Sequence, residues 1–322
     1  MNPGEANRPD PDVVPTTAAA ASAIATAALG RSVEVLERRP LSGGKINAVE
    51  AWRLDGSPGD VVVKIDLRGQ GGALTREAGY LRYLRAHTHL PVPEPLGLSA
   101  STQPDAKGEA LFLERLAGRH LGHCRLSDAG QQRVQETLAD ALADLHRHTR
   151  PTYGPCMEPD GPTSWAAAFR TRLVTMLDAA APRLKPELLH AIATLAEELE
   201  DLLATDSAPT LIHGDVWAAN ILVDDSDPDQ PSLSGLVDPR GEFCDTEFEL
   251  AYLNGFGPEF APLIARYREH HPERPGFADR CRLYWLYFML VHVWIFGDSK
   301  YLRRTAELVA QIHSKTRAKH AQ

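Results

Sequence analysis

Leu211 to Ala251 reads LIHGDVWAANILVDD, then SDPDQPSL, then SGLVDPRGEFCDTEFELA, and this stretch decides the fold. Asp215 stands five positions before Asn220, and Asp238 follows a second apolar run. Transfer of a γ-phosphoryl group needs little covalent help. It needs an acceptor hydroxyl held in line, metal ions on the β- and γ-oxygens, and a carboxylate that takes the hydroxyl proton. A loop with Asp and then Asn supplies a base, Asp215, and a metal ligand, Asn220. The runs Ile221–Val223 and Leu233–Val237 flank turn formers, so they predict a β-hairpin whose second strand ends at Asp238, a second metal ligand. Single Asp and Asn residues near strand ends are ordinarily caps or turn formers, and HGD alone is weak. The full pattern, HGDxWxxN and then a strand ending in Asp-Pro, is far more specific.

Working outward, Thr16–Leu29 predicts a helix ending at Gly30, followed by strands at Ser32–Glu37, Ala48–Leu54 and Val61–Ile65. Asp55-Gly56-Ser57-Pro58-Gly59 is the turn between the last two. Gly43 and Gly44 lie between the first two strands, where a kinase carries its glycine-rich phosphate loop, although a plain Gly-Gly hairpin turn fits the same residues. Lys64 closes the apolar run VVVK, and Glu77, thirteen residues further on, opens the expected helix REAGYLRYLRA. A strand-end lysine is usually a solvated charge. After three valines it instead predicts a phosphate-binding lysine placed by an ion pair with Glu77. Leu96–Leu98 and Ala110–Leu113 continue the sheet, and the backbone from Glu114 to Leu116 is the expected adenine-binding hinge. These elements predict an α+β fold: a disordered tail (1–14), a small nucleotide-binding lobe (15–117) and a larger, mainly helical catalytic lobe (118–322).

The larger part predicts helices at Asp128–His148, Ser164–Leu173 and Pro186–Leu203. His146 and His148 face different ways on a helix, so they read as core or solvated histidines rather than a metal pair.

HGDVWAAN resembles the kinase-like small-molecule phosphotransferases, the superfamily of aminoglycoside, choline and fructosamine kinases. Within it the segment is most similar to the HGDLWSGN of the fructosamine-3-kinase (ketosamine kinase) family, Trp217 included. That family also has a GG-x-IN pattern, as at Gly43–Asn47, and a helix with Trp, Phe and Arg-Leu, as in SWAAAFRTRL. FAPLIARYREHHPERPGFADRCRLYWLYFMLVHVWIFGDSKY, from Phe260 to Tyr301, follows the family's tail in register, which aminoglycoside kinases lack. The resemblance implies a protein-kinase-like bilobal fold that uses ATP and Mg2+ to phosphorylate a sugar hydroxyl of a fructosamine or ketosamine. An aminoglycoside or other amino-sugar acceptor is the alternative, and a non-catalytic pseudokinase a third reading. The substrate's cationic amine makes Asp245 and Glu247 candidate contacts, beside Trp217 and Arg240. Some members of the family carry cysteine where this chain has Lys45, so redox control there is not expected. The chain departs from the pattern at Arg240 for Ala, Cys244 for Gly and Glu249 for Asp. Arg240 either clamps a substrate or phosphate oxygen or pairs with Glu242.

The 322 residues carry a formal net charge of −9, which disfavours broad nucleic-acid binding. The four cysteines show no metal-ligand spacing and read as reduced thiols of a cytoplasmic protein. Acidic residues precede the Ala-rich run, unlike a signal peptide, and no apolar run spans a membrane. The sequence leaves the oligomeric state open.

Overall fold

Thr17 caps the first helix: its hydroxyl accepts the Ala20 N–H at 3.1 Å. The alanine-rich helix α1 (Ala18–Leu29) then runs to Gly30, which adopts a left-handed conformation. The computed structural model describes residues 17–41, 47–66, 72–99, 108–203, 207–255 and 257–320. Gly43 and Gly44 lie outside the described residues.

A five-stranded antiparallel sheet follows: β1 (Val35–Pro40), β2 (Asn47–Leu54), β3 (Asp60–Asp66), then helix α2 (Ala73–His87), β4 (Pro95–Ser99) and β5 (Ala110–Glu114), in the order β1-β2-β3-β5-β4. Strand alternation explains its two faces. Val61, Val63 and Ile65 join Ala21, Ile24 and Ala25 of α1, with Trp52 and Phe112, in one apolar core. Trp52 meets Phe112 edge to face at 5.4 Å. Lys64, between Val63 and Ile65, takes the other face, in register with Val49 and Leu111.

Two of the boundaries that differ from the sequence reading lie here. β1 starts at Val35, not Ser32, because Glu34 is spent on the β2–β3 turn: its N–H donates to Asp55 at 2.6 Å and its carbonyl accepts the Asp55 N–H at 2.9 Å. Helix α2 starts at Ala73, one turn before Glu77, because the Glu109 carboxylate accepts the Leu74 and Thr75 amides at 2.9 and 3.3 Å.

Beyond the sheet come β6 (Arg119–His120), α3 (Asp128–Leu145), β7 (Gly154–Pro155), α4 (Trp165–Ala180), α5 (Pro186–Glu197), α6 (Leu199–Leu202), β8 (Thr210–Ile212), β9 (Ile221–Asp224), β10 (Ser232–Leu236), β11 (Glu242–Cys244), α7 (Thr246–Asn254), α8 (Ala261–Arg268), α9 (Phe277–Phe296) and α10 (Ser299–His320). The expected helix over Pro186–Leu203 is two, interrupted at Glu198. Val134, Leu138, Leu142 and Leu145 of α3 are buried, the stripe their spacing predicts.

The chain divides into two compact units, Met1–Val134 with Trp217–Gly241, and Gln135–Val216 with Glu242–Gln322. The first holds the five-stranded sheet and the small sheet β10-β9-β6; the second holds β7-β11-β8 and most of the helices. Its core is aromatic: Trp165 and Phe169 of α4 pack with Phe248 of α7 and Tyr284 of α9, and the Trp165 indole N–H donates to the Tyr284 hydroxyl at 2.9 Å. All four cysteines are free thiols, and burial pushes Cys156 and Cys281 up to about 12. Among the described residues no helix is long and apolar enough to cross a membrane.

Gly118 fixes the β9–β10 hairpin in the first unit. Its φ is +82°, and a Cβ there would lie 2.1 Å from the Val223 carbonyl oxygen. Gly30 (φ +66°) has open space around the same position. Gly30→Ala is therefore expected to cost only the left-handed strain, roughly 1–2 kcal/mol. Gly118→Ala adds a backbone clash and is expected to cost clearly more. Urea unfolding of both variants checks this, and equal losses would contradict the close approach.

Candidate active site

The hairpin presents Asn220 and Asp238 at one end. Asn220 closes a turn by donating its N–H to the Trp217 carbonyl at 2.8 Å, and its own carbonyl accepts the Val237 N–H at 2.9 Å. Asn220 and Asp238 are thereby held beside each other at the open end of β9 and β10. The strand stops at Leu236, two residues before the expected end, because the Leu236 N–H turns to the Pro91 carbonyl at 2.8 Å. Asp238 then has a φ of +61°, the one positive value among the described non-glycine residues. For a residue with a Cβ this strain costs roughly 1–2 kcal/mol, and Asp and Asn bear it best.

Lys64 rewards that conformation. Its ammonium donates to Glu77 Oε1 at 2.5 Å and makes a close ion pair with Asp238 Oδ1, across 174 positions of sequence. The Lys64 side chain is 7% exposed and Asp238 45%. Burial alone would lower the lysine, but Glu77 and Asp238 outweigh it and hold the ammonium well above its ordinary range. The Glu77 carboxyl is raised, by burial first and also by Asp238, against the pull of Lys64.

The donors Asp238 carboxylate and Asn220 amide are hard oxygens on rigid backbone, and Asp238 keeps an exposed side. That set fits Mg2+, which characteristically takes one or two protein ligands and completes its shell with phosphate oxygens and water. Glu114 closes β5. Its N–H donates to the Glu94 carbonyl at 2.8 Å and its carboxylate accepts the Glu94 N–H at 3.0 Å. Its side chain is thus committed to the Glu94 amide and to Arg85, at 3.5 Å, and the chain continues to Leu116 outside the strand.

Asp215 lies in the second unit, on the loop after β8. The loop is held from α7 by Glu249, whose buried carboxylate accepts the Gly214 N–H at 2.6 Å, the His213 N–H at 3.4 Å and His146 Nε2 at 2.9 Å. Burial alone would raise this carboxyl. The hydrogen bond from His146, with His213 and the Gly214 amide, outweighs burial and holds it below its ordinary range.

Asp245 and Glu247 do not stand open to a cationic substrate. Both are buried. Asp245 caps α7 through the Glu247 N–H at 2.8 Å and pairs with Arg274; Glu247 receives Arg274 at 2.9 Å and Arg280 at 2.5 Å. The Glu242 carboxylate is taken by Arg172 at 2.5 Å, beside Cys244. Arg240 and Trp217 are both partly exposed. Sequence reasoning missed Arg172, Arg274 and Arg280. They sit inside stretches quoted for the resemblance, the Trp, Phe, Arg-Leu helix and the tail, but no local spacing gives their acidic partners.

Residues 17–315 match the family model for fructosamine kinase. The chain belongs to the fructosamine kinase family. A probable ketoamine kinase of Synechocystis sp. is 27% identical over 284 residues, 88% of this chain and 92% of its own. Another, from Enterococcus faecium, is 26% identical over 279 residues, 81% and 90% of the two chains. A Haemophilus somnus crystal structure assigned as a fructosamine-3-kinase superposes with a TM-score of 0.73 at 22% identity, covering 91% of this chain and 96% of its own. A thermostable mutant of aminoglycoside phosphotransferase APH(4)-Ia superposes at 0.63 with 18% identity, covering 94% and 100%. The fold is therefore the kinase-like fold of these phosphotransferases, and the protein is a phosphotransferase of the fructosamine kinase family.

The lowered Glu249 carboxyl makes an acid-side prediction. A carboxylate held below its unfolded value of about 4.3 contributes stability above that pH and loses it as pH falls toward the folded value. Glu249→Gln is expected to be less stable than wild type at pH 7 and to lose less on acidification through pH 4. Urea midpoints across that range test it; parallel profiles would remove Glu249 from the acid response.

Proposed function

We propose that the protein transfers the γ-phosphoryl group of ATP to a sugar hydroxyl of a ketosamine. One observation carries this reading: Lys64 is gripped by Glu77 and Asp238, with Asn220 beside Asp238 at the hairpin end. A buried ammonium beside a metal-binding carboxylate is the arrangement phosphoryl transfer uses. Two structural neighbours support nucleotide use, since APH(4)-Ia is known with ADP and hygromycin B and with AMP-PNP and hygromycin B. The ketosamine acceptor is supported by the family and by the names of the relatives.

In this reading Lys64 carries positive charge to the α- and β-phosphates, Glu77 keeps it aimed, and the backbone from Glu114 to Leu116 meets adenine. Asn220 and Asp238 hold Mg2+, which supplies charge neutralisation of the phosphate oxygens. Asp215 accepts the proton of the acceptor hydroxyl. Trp217 and Arg240 are the candidate acceptor contacts. Asp245 and Glu247 are not, since Arg274 and Arg280 already neutralise them.

ADP release with a glycated lysine derivative, run beside kanamycin-type compounds, tests the acceptor. Turnover is expected with the first; turnover confined to the second would replace ketosamine by aminoglycoside, and none with any amine-bearing sugar would refute the kinase reading. Asp215→Asn is expected to bind Mg-ATP nearly as wild type while turnover falls by roughly 10²-fold or more, the range for losing a general base. Near-normal turnover in that variant would take the role from Asp215.

A further inference from the structure

Behind the Asp215 loop a buried relay joins three helical elements of the second unit. Glu249 comes from α7. His146 follows α3, its N–H still bonded to the Leu142 carbonyl at 2.9 Å. Tyr267 comes from α8. His146 Nε2 lies 2.9 Å from Glu249 Oε2, and its Nδ1 lies 2.7 Å from the Tyr267 hydroxyl. The side chains of His146 and Glu249 are 1% and 0% exposed.

The chemistry of the three groups fixes who donates. Ionised Glu249 only accepts, so His146 Nε2 carries a proton. In the neutral ring Nδ1 is then the acceptor, and the Tyr267 hydroxyl donates to it. A carboxylate, an imidazole and a hydroxyl in a row would suggest a nucleophile at the hydroxyl end. Tyr267 is no such group: it is 3% exposed, and burial first, then the Glu249 charge, raises its phenol well above the ordinary range. The relay points the other way, toward the loop.

The backbone groups that Glu249 grips belong to His213 and Gly214, the two residues before Asp215. The Gly214 amide donates to Oε1 at 2.6 Å, but the His213 amide reaches Oε2 only at 3.4 Å, so the close donor to Oε2 is His146 at 2.9 Å. His146 supplies the third donor, and Tyr267 holds the ring that supplies it. A cavity of about 330 Å3 is lined in part by Tyr267 and by His271, which stacks on the Tyr267 ring at 4.5 Å. Without the hydroxyl contact nothing else in the relay fixes the imidazole Nδ1 edge.

We propose that His146 and Tyr267 are positioning residues for Asp215, acting through Glu249. This rests on the reading of Asp215 as the base, so its test includes a measurement that needs no substrate. In the full chain, His146→Ala, His146→Gln and Tyr267→Phe are compared with wild type by amide hydrogen exchange over residues 211–216, Mg-ATP affinity, kcat and KM. His146→Ala is expected to speed exchange at Gly214 and to lower kcat between about 10- and 100-fold, the effect of misplacing a group by the order of 1 Å. Mg-ATP affinity should stay within about twofold, since Lys64, Asn220 and Asp238 lie outside the relay. His146→Gln, which returns an N–H donor to Glu249, should recover most of both losses, and Tyr267→Phe should fall between. Unchanged Gly214 exchange in His146→Ala overturns the proposal. So does a Gln variant no better than Ala with kcat and nucleotide affinity falling together, the pattern of general destabilisation. If wild type itself turns over no amine-bearing sugar, the proposed function fails, while the exchange comparison still decides whether the relay holds the loop.

Discussion

A lysine ammonium cannot be buried alone. Moving an isolated charge out of water costs many kcal/mol, and burial is tolerated only with partners of opposite charge in good geometry. Lys64 is buried on the face of β3 opposite α1, so the fold must bring it carboxylates. Glu77 meets it from α2, and Asp238 from beyond β10. The demand explains otherwise unrelated features of the first unit. It sets the register that turns Val61, Val63 and Ile65 to the apolar core. It requires α2 to present Glu77 from its second turn, after Glu109 has fixed the start of that helix. It also accounts for the left-handed backbone of Asp238, whose strain is repaid by a charge-assisted contact worth roughly 1.5–3 kcal/mol.

The second unit solves the converse problem, a buried carboxylate beside a loop that must not drift. Glu249 is satisfied by backbone amides and an imidazole rather than by a lysine or arginine. Its neighbours Asp245 and Glu247, two to four positions earlier on the same turn of chain, are satisfied by Arg274 and Arg280. Three acids within five residues thus serve different purposes. One steadies the loop of Asp215, and two tie the start of α7 to Arg274, between α8 and α9, and to Arg280 of α9.

The parts of this arrangement that local chemistry dictates were legible in the sequence. Asp55 to Gly59 contains strong turn formers, so β2 and β3 emerge within a residue of their true ends. Lys64 after three valines, and Asn220 and Asp238 around a hairpin, follow from strand alternation and turn composition. Features set by partners distant in sequence were not legible. Nothing near Asp245 or Glu247 shows that arginines 27 to 33 positions later will neutralise them, so both read as exposed acids. The break at Glu198 carries no proline or glycine, and apolar residues at helical spacing, Ile192, Leu195, Leu199 and Leu202, run through it. The two-residue strands β6 and β7 exist only because β9 and β11 lie beside them. His146 read as a core or solvated histidine rather than a metal ligand, but its burial and its link to the Asp215 loop needed Tyr267 and Glu249 in three dimensions.

The claim on which the account turns is that Lys64 and Glu77 act as one unit in holding nucleotide. A double-mutant cycle measures it: Mg-ATP dissociation constants for wild type, Lys64→Met, Glu77→Gln and the double variant, with melting temperatures to confirm folding. Lys64→Met should weaken binding by about one to two decades, the worth of a charge-assisted contact. Glu77→Gln should be milder, and the double variant should lose less than the sum. Strict additivity, or wild-type affinity without Lys64, would show that the ion pair holds the fold and not the phosphates.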